Sequence, residues 1–474
     1  MTGRWTESPR VAVVGGGLAG LAAGCALADS GLRVTLFERR PYLGGRASSY
    51  QHPGTGEIVD NCQHVLLGCC TNLIDFYRRI GVSEKVRWFE HLTFLEPGGR
   101  ASVIAPCSLP APFHTAPAFL KAHCLNLRDK MAIGAAMAAL MPAQPQDKGE
   151  SFSSWLRKRG QTDAAIERFW KTVLVSALNE EIGSVSVPSA AQVIRESFLK
   201  SAAAGRMGVP TVPLTELYGY AGEFVSAHRG EVRLRAAIEG FRAEVAGVRL
   251  SVADGEEAFD FAILALPFDA LAGILPDTSA AEPLRQTLGQ FETSPITGIH
   301  LWFDRQITDL EHAVLLDRTV QWMFHKSKLL TARNGGPQSA ESHQGSYLEL
   351  VVSSSKSLVN KSKQEIIDLA VSELREFFPE ARSASLLKST VIKEVHATYS
   401  PRPGVDAFRP QPETVWPRVF LAGDWTATGW PATMEGAVRS GYLAAQCVAR
   451  AAGVRNAAFL VPDLPATGFM RLFG

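Results

Sequence analysis

The stretch RVAVVGGGLAGLAAGCALADSGLRVTLFERR, residues 10–40, decides how the rest of the chain is read. Val11, Val13 and Val14 form a short apolar strand, and the turn after it reads Gly15-x-Gly17-x-x-Gly20. Leu18, Leu21, Ala22, Cys25 and Ala26 give a helix its apolar face; Gly31 stops it, and a second strand, RVTLFE, ends in Glu38. Each part has a physical task. Gly15 makes the tight turn, Gly17 lets the backbone approach a diphosphate, and Gly20 lets the helix pack close to the strand. The diphosphate would rest on free N–H groups at the helix start, near Leu18 and Ala19. Glu38, 23 residues past Gly15, is placed to accept hydrogen bonds from a ribose diol, with Arg39 beside it as a further candidate. Strand, turn, helix, strand and terminal acid together predict a dinucleotide-binding unit.

At 474 residues the chain is long enough for two or three domains with buried cores. Apolar residues make up 46% and charged residues 20%, a globular composition, and a net charge of +1 gives no electrostatic footprint for nucleic acid. Seven cysteines, an odd number in a long chain, point to reduced thiols and a cytoplasmic setting. The triple glycine within the first apolar run reads as the start of a fold rather than a secretory signal. The longest later apolar segment, 131–143, is too short to cross a bilayer. A soluble protein, or one resting on a membrane surface, is expected.

Two further segments extend the nucleotide pattern. RRPYLGGRASS (39–49) follows Glu38 at once; Gly44 and Gly45 permit backbone approach, and the planar fork of Arg46 suits a phosphate. Far along the chain, VFLAGDWTATGWPATMEGAVRSGYLAAQCVA (419–449) reads as a strand, Gly423-Asp424, a loop, and a helix opened by Pro431. Together they resemble the FAD-binding segments of the phytoene desaturase and amine oxidase superfamily. The resemblance implies FAD as cofactor, with Gly45 and Arg46 in its phosphate loop and Gly423-Asp424 at the ribityl-phosphate part. It places the helix start around Met434 at the flavin pyrimidine edge, where the positive helix end favours charge on a reduced flavin. It also assigns the backbone of Ile238, within the strand-like run 230–267, to the adenine.

The fold class implied is α/β: a Rossmann-like FAD-binding domain of the glutathione reductase and amine oxidase type, with an interleaved α+β substrate domain. The FAD-binding domain is expected at 1–85, 225–275 and 411–474, and the substrate domain at 86–224 and 276–410. Residues 115–205 read as helical with a break near SVSVPS (184–189), 293–355 as strand-rich, 363–382 as an amphipathic helix, and 333–345 as an exposed loop.

Within the superfamily, ERFWKTVLVSALNE (167–180), VPTVPLTELYG (209–219) and LAGDWTATGWPATMEGAVRSG (421–441) look like hydroxysqualene dehydroxylases. No lysine occurs between Thr293 and Asp304, near where amine oxidases usually hold one. This resemblance implies reductive removal of an allylic hydroxyl from hydroxysqualene, giving squalene for bacterial hopanoid synthesis. An oxidative desaturase or isomerase of a polyprene is the nearest alternative, and a non-catalytic prenyl-lipid escort is one of another class. The substrate would be a long apolar isoprenoid. Phe169, Trp170, Trp302, Phe303, Trp322, Phe324 and Tyr399 are candidate channel aromatics.

DNCQHVLLGCC (60–70) concentrates three cysteines and a histidine, yet it lacks paired C-x-x-C spacing, and no metal is expected. The resembled family brings D-N-G-Q-H to the flavin here, and this chain has Cys62 in place of the glycine. His64 is therefore the catalytic candidate, as an imidazolium that protonates the leaving hydroxyl. The other reading is that it only holds the loop. The apolar tail 457–474 either dips into a bilayer surface or packs on the protein.

Overall fold

The computed structural model describes residues 8–142, 145–330, 345–455 and 457–473; the loop expected at 333–345 falls, but for Gly345, outside them. Arg10–Val14 lies at the middle of a five-stranded parallel sheet. In order, the strands are Glu231–Leu234, Arg33–Glu38, Arg10–Val14, Phe261–Leu264 and Val419–Leu421. A parallel sheet needs both faces covered. On one face sit the helices Leu18–Asp29, Leu214–Ala227 and Met434–Ala451, joined in a single apolar core. The first helix is buried from Leu18 through Ala28 because it is wedged among its neighbours, which explains why alanine and glycine dominate it. The other face carries the antiparallel strands Ile238–Ala243, Val248–Val252 and Gly255–Phe259, with two short helices behind them.

The cofactor-side layers reach further along the chain than the expected boundaries. Leu217, Tyr218 and Ala221, ahead of residue 225, form with Val225 the buried face of Leu214–Ala227 against the first helix. The core on the opposite face continues past 275 to Leu288 and Phe291. The tail also leaves this domain: it starts on the last helix and ends against residues 111 and 200. A boundary read from strand starts misses helices whose apolar faces belong to the preceding layer.

Between these segments lies a seven-stranded sheet whose longest members, Thr293–Phe303 and Leu386–Tyr399, pair antiparallel. Tyr347–Ser353, Trp322–His325 and His312–Leu315 continue it, and Leu92–Leu95 with Ala101–Ile104 complete the edge. Residue alternation decides which chemistry each face receives. Ile299, Leu301, Leu348, Leu350 and Met323 join a core with the helix Lys363–Phe377. That helix opens with a Ser362–Glu365 capping box. A helical cluster fills 116–205. Its break comes at the expected place, where Asn179 turns left-handed at φ 52° and Ser186 caps the helix that begins at Val187. Two single π turns, Ile166–Lys171 and Arg195–Leu199, interrupt these helices.

Candidate cofactor and substrate site

Where the strand Arg10–Val14 ends, the chain turns and the first helix points its start into a cavity of about 620 Å³. Gly15, Gly17, Leu18, Ala19, Glu38, Arg39, Gly45, Arg46, Ile238, Gly423, Asp424, Met434 and His64 all line it. Gly20 stands behind the wall, packed against the Gly15 carbonyl. Residues more than 400 positions apart in the chain thus meet around one space.

The geometry suits a dinucleotide. Gly17 caps the helix without any side-chain hydrogen bond, so the first N–H groups are left for a ligand. Gly17 and Gly44 form an isolated bridge; a Cβ on Gly45 would lie 2.8 Å from the Gly17 Cα, so the two loops can approach only without side chains. Glu38 is buried. Its Oε2 accepts from the Gly16 N–H at 2.8 Å and its Oε1 from the Arg40 N–H at 2.7 Å, fixing the carboxylate at the strand end with lone pairs to spare. At the far end the helix Met434–Ala451 starts on Thr433, whose hydroxyl accepts from the Gly436 N–H at 3.1 Å. Thr433, Met434 and Ala437 face the cavity there.

Arg46 departs from the expectation of a free phosphate ligand. Its Nη2 donates to Asp424 Oδ1 at 2.6 Å and its Nη1 to the Ala397 carbonyl at 2.9 Å. The pair clamps the Gly44–Arg46 loop to the Gly423-Asp424 turn, and the carboxylate raises the arginine pKa against the opposing effect of burial.

Of the two roles expected for His64, the structure gives it the bond of the loop-holding one. The Cys62 carbonyl, which can only accept, lies 2.7 Å from Nδ1, so Nδ1 carries the proton and Nε2 keeps the lone pair. Burial lowers the imidazole pKa, with the carbonyl bond opposing that shift. The resting group is a neutral acceptor rather than an imidazolium donor. Cys62 lines the cavity with a thiol whose pKa is raised by burial; its φ is not positive, so the glycine of the family pattern is not needed for backbone conformation. All seven cysteines are free, and among the described residues no group of three or more His, Cys, Asp or Glu could hold a metal ion.

A second cavity, about 320 Å³ and lined chiefly by apolar groups, adjoins the first. The helix Thr172–Leu178 separates them, showing Val173 to one and Ser176 with Ala177 to the other. Both π turns face this second space, through Arg168 and Phe169 and through Ser197 and Phe198. Such turns re-aim side chains that a regular helix would point elsewhere. Trp322 and Phe324, stacked at 7°, form the first cavity's wall, and Trp322 Nε1 donates to Ser176 Oγ at 2.7 Å. Of the other candidate aromatics, Phe169 lines the second cavity. Trp170, Phe303 and Tyr399 are buried in cores, and Trp302 stacks on Tyr347 at 4.3 Å.

Residues 18–449 match the family of flavin containing amine oxidoreductases. The chain belongs to that family. It is 28% identical over 470 residues to a 15-cis-phytoene desaturase of Synechococcus elongatus, covering 93% of this chain and 95% of that one. A zeta-carotene desaturase of Synechocystis is 25% identical over 478 residues, covering 93% and 97%. Among solved structures, an oxidoreductase from Methanosarcina mazei superimposes with a TM-score of 0.69 at 17% identity, over 91% of this chain and 98% of that one. Putrescine oxidase bound to putrescine gives 0.70 at 16%, over 94% and 99%. The protein is an FAD-dependent oxidoreductase with the α/β architecture of this family.

Sequence reasoning missed a charged cluster beneath the loop that carries His64: Lys326, Asp60 and Glu349, with His300 alongside. The signal was present in YLELVVS (347–353), where one acid interrupts an otherwise apolar strand.

Proposed function

We propose that this oxidoreductase acts on a long apolar isoprenoid, and that its chemistry is of the polyprene desaturase type. The observation that carries this is the apolar second cavity, one helix away from the dinucleotide cavity. A hydrocarbon held there would bind at about 0.8 kcal/mol per buried CH₂, so few polar contacts are required. The relatives named as phytoene and zeta-carotene desaturases support the same substrate class. FAD, when bound, supplies hydride transfer. The helix start at Leu18 and Ala19 would hold its diphosphate, Glu38 the ribose and the Ile238 backbone the adenine; Arg46 and Asp424 would brace the ribityl side, and the helix at Met434 would meet the flavin ring. Asn179 gives the cavity a fixed polar corner, its Nδ2 donating to the Ser294 carbonyl at 2.9 Å and to Thr398 Oγ1 at 3.0 Å. His64, neutral and with Nε2 as acceptor, is suited to receive a proton from substrate carbon rather than to supply one.

Reductive dehydroxylation of hydroxysqualene is the second reading, favoured by the resemblance of residues 423–437. One pair of anaerobic incubations separates the two. Oxidised enzyme with a polyprene that keeps oxidisable CH₂–CH₂ units, such as phytoene, is expected to lose flavin colour and give a product two mass units lighter. Chemically reduced enzyme with hydroxysqualene is expected to leave the substrate intact. Squalene formation would reverse the assignment, and a preparation that takes up no FAD would favour the lipid escort.

The second cavity shares its segments with an exposed face that suits a membrane surface in the cytoplasm. Leu109, Phe113, Leu120, Leu127, Met131, Phe469, Leu472 and Phe473 are exposed there. Lys121, Arg128 and Arg471 accompany them, while the one acid of 107–131, Asp129, is buried in a capping box. Apolar groups among cations are the composition of an interfacial anchor on anionic lipid. The tail itself is a strap: Phe459 and Leu460 N–H groups donate to Gln446 Oε1, Phe469 N–H to the Ala111 carbonyl, and Met470 is buried. Only its end joins the face. Leu127→Glu with Met131→Glu is expected to abolish co-sedimentation with anionic liposomes while FAD content stays unchanged; undiminished binding would remove this assignment. Among the described residues no helix is long and apolar enough to cross a membrane.

A further inference from the structure

On the strand Tyr347–Ser353, Leu348, Leu350 and Val352 point into the apolar core, so Tyr347, Glu349, Val351 and Ser353 face the other way. Val351 and Ser353 line the dinucleotide cavity, and Glu349 lies one alternation further along, under the loop that carries His64. Gly298, on the adjacent strand, lets that loop lie flat, since a Cβ there would sit 2.9 Å from the Asn61 carbonyl oxygen. Lys326 Nζ donates to Asp60 Oδ2 and to Gln63 Oε1, each at 2.8 Å, and stands 3.3 Å from Glu349 Oε2. Asp60 takes two more donors, Ser49 Oγ at 2.6 Å and the Leu214 N–H at 3.1 Å. Glu349 is 0% exposed, and neither of its oxygens has a well-formed hydrogen bond.

The cluster therefore holds two carboxylates and one ammonium away from water. Lys326 and Asp60 neutralise each other, and Glu349 is the surplus acid, whose ionised form is disfavoured unless positive charge is at hand. Its surroundings supply none beyond Lys326. His300, its register partner on the neighbouring strand, is pushed down to about 3 by burial and is neutral. Tyr347 on its own strand and Cys62 in the loop are neutral, each with its pKa raised by burial, and Phe324 flanks it on the third strand. Gln63 links the cluster to the cavity: Oε1 accepts from Lys326, Nε2 donates to the His64 carbonyl at 3.0 Å, and the residue lines the cavity wall.

We propose that Glu349 is a positioning residue that takes up a proton when the flavin in the adjoining cavity is reduced. This rests on the cofactor reading of that cavity. Two electrons from the substrate or another two-electron donor, with one proton, leave the reduced cofactor with one more negative charge. A proton from solvent then binds the Glu349 carboxylate, forming one O–H bond and offsetting that charge; no other bond changes. Burial lifts the Glu349 carboxyl to about 7, with Lys326 opposing and Asp60 assisting. Below that pH the acid already holds its proton and reduction adds none. Above it, reduction draws one in.

The test is a potentiometric titration of the FAD-loaded protein from about pH 6 to about pH 9, beside Glu349→Gln. The wild type is expected to bind about one proton more per two electrons than the variant above pH 7, and the same number below it. Infrared difference spectra on reduction at about pH 8 provide a reading on the wild type alone: a protonated carboxyl band should appear and shift in heavy water. Equal proton uptake by the two proteins throughout, or no carboxyl band, overturns the proposal. Protein that binds no FAD overturns the cofactor reading as well.

Discussion

Gly20→Ala protein is expected to be purified colourless, with FAD affinity lowered by at least about a hundredfold, equivalent to about 3 kcal/mol. The added Cβ would lie 1.9 Å from the Gly15 carbonyl oxygen and 3.2 Å from the Ala265 side chain. Neither can yield. Gly15 itself adopts φ +112° in the turn, and Ala265 follows the strand Phe261–Leu264, paired with the first. The first helix must lift away from the sheet, taking with it the N–H groups at Leu18 and Ala19. Gly24→Ala is the matched control on the same helix. Its Cβ meets nothing nearer than 3.6 Å, so the variant should stay yellow and gain about 0.5–1 kcal/mol from lower chain entropy. Flavin content and circular dichroism distinguish the two. Two colourless proteins, or two yellow ones, would contradict the argument.

Lys326→Met is the second large effect. Lys326, Asp60 and Glu349 are 2%, 4% and 0% exposed. Removing the one cation leaves buried carboxylates uncompensated, at a cost of about 3–5 kcal/mol in urea unfolding. Replacing all three with neutral isosteres, Lys326→Met with Asp60→Asn and Glu349→Gln, should recover most of that loss. The sign of the pH response is fixed by linkage. In the wild type Asp60 is held below its ordinary pKa by Lys326, so its contribution is present above about pH 4 and is lost as pH falls through the depressed value. Without Lys326 the Asp60 carboxyl rises instead. The native state of the variant then binds more protons than the unfolded chain, and its stability improves as pH falls toward about 4. A variant whose stability gains no more than the wild type's as pH falls toward about 4 would show that Lys326 does not hold Asp60 ionised.

The parts of the site legible in the sequence are those fixed by local backbone requirements. Gly15, Gly17, Gly45 and Gly423 mark places where loops touch or turn, and Glu38 ends a strand; such residues announce themselves within a few positions. Gly20, which packs behind the wall, was legible for the same reason. The bond between Arg46 and Asp424 and the lowered pKa of His64 were not legible, because Asp424 is 378 residues from Arg46 and the pKa depends on burial, which no local spacing encodes. The cluster of Lys326, Asp60 and Glu349 was invisible for a related reason. It joins the start of the short helix Lys326–Leu329, the strand Tyr347–Ser353 and the end of the strand Ile58–Asp60, with Lys326 and Asp60 266 residues apart. The two cavities share a helix for the same reason: the 3.6-residue period turns Val173 and Ser176 to different sides, but what lies on each side comes from elsewhere in the chain.

The interleaving of the parallel sheet bears on how the protein is made. Its central strand, Arg10–Val14, leaves the ribosome some 250 residues before one neighbour, Phe261–Leu264, and the edge strand Val419–Leu421 comes later still. The cofactor cavity lacks Asp424 and the helix at Met434 until more than 400 residues have followed Gly15. The complete cavity can take up FAD only after that. Until then the apolar face of the first helix waits for the helix Met434–Ala451 to cover it. A message truncated anywhere before residue 434 should therefore yield no partly active enzyme, only protein that cannot retain its flavin.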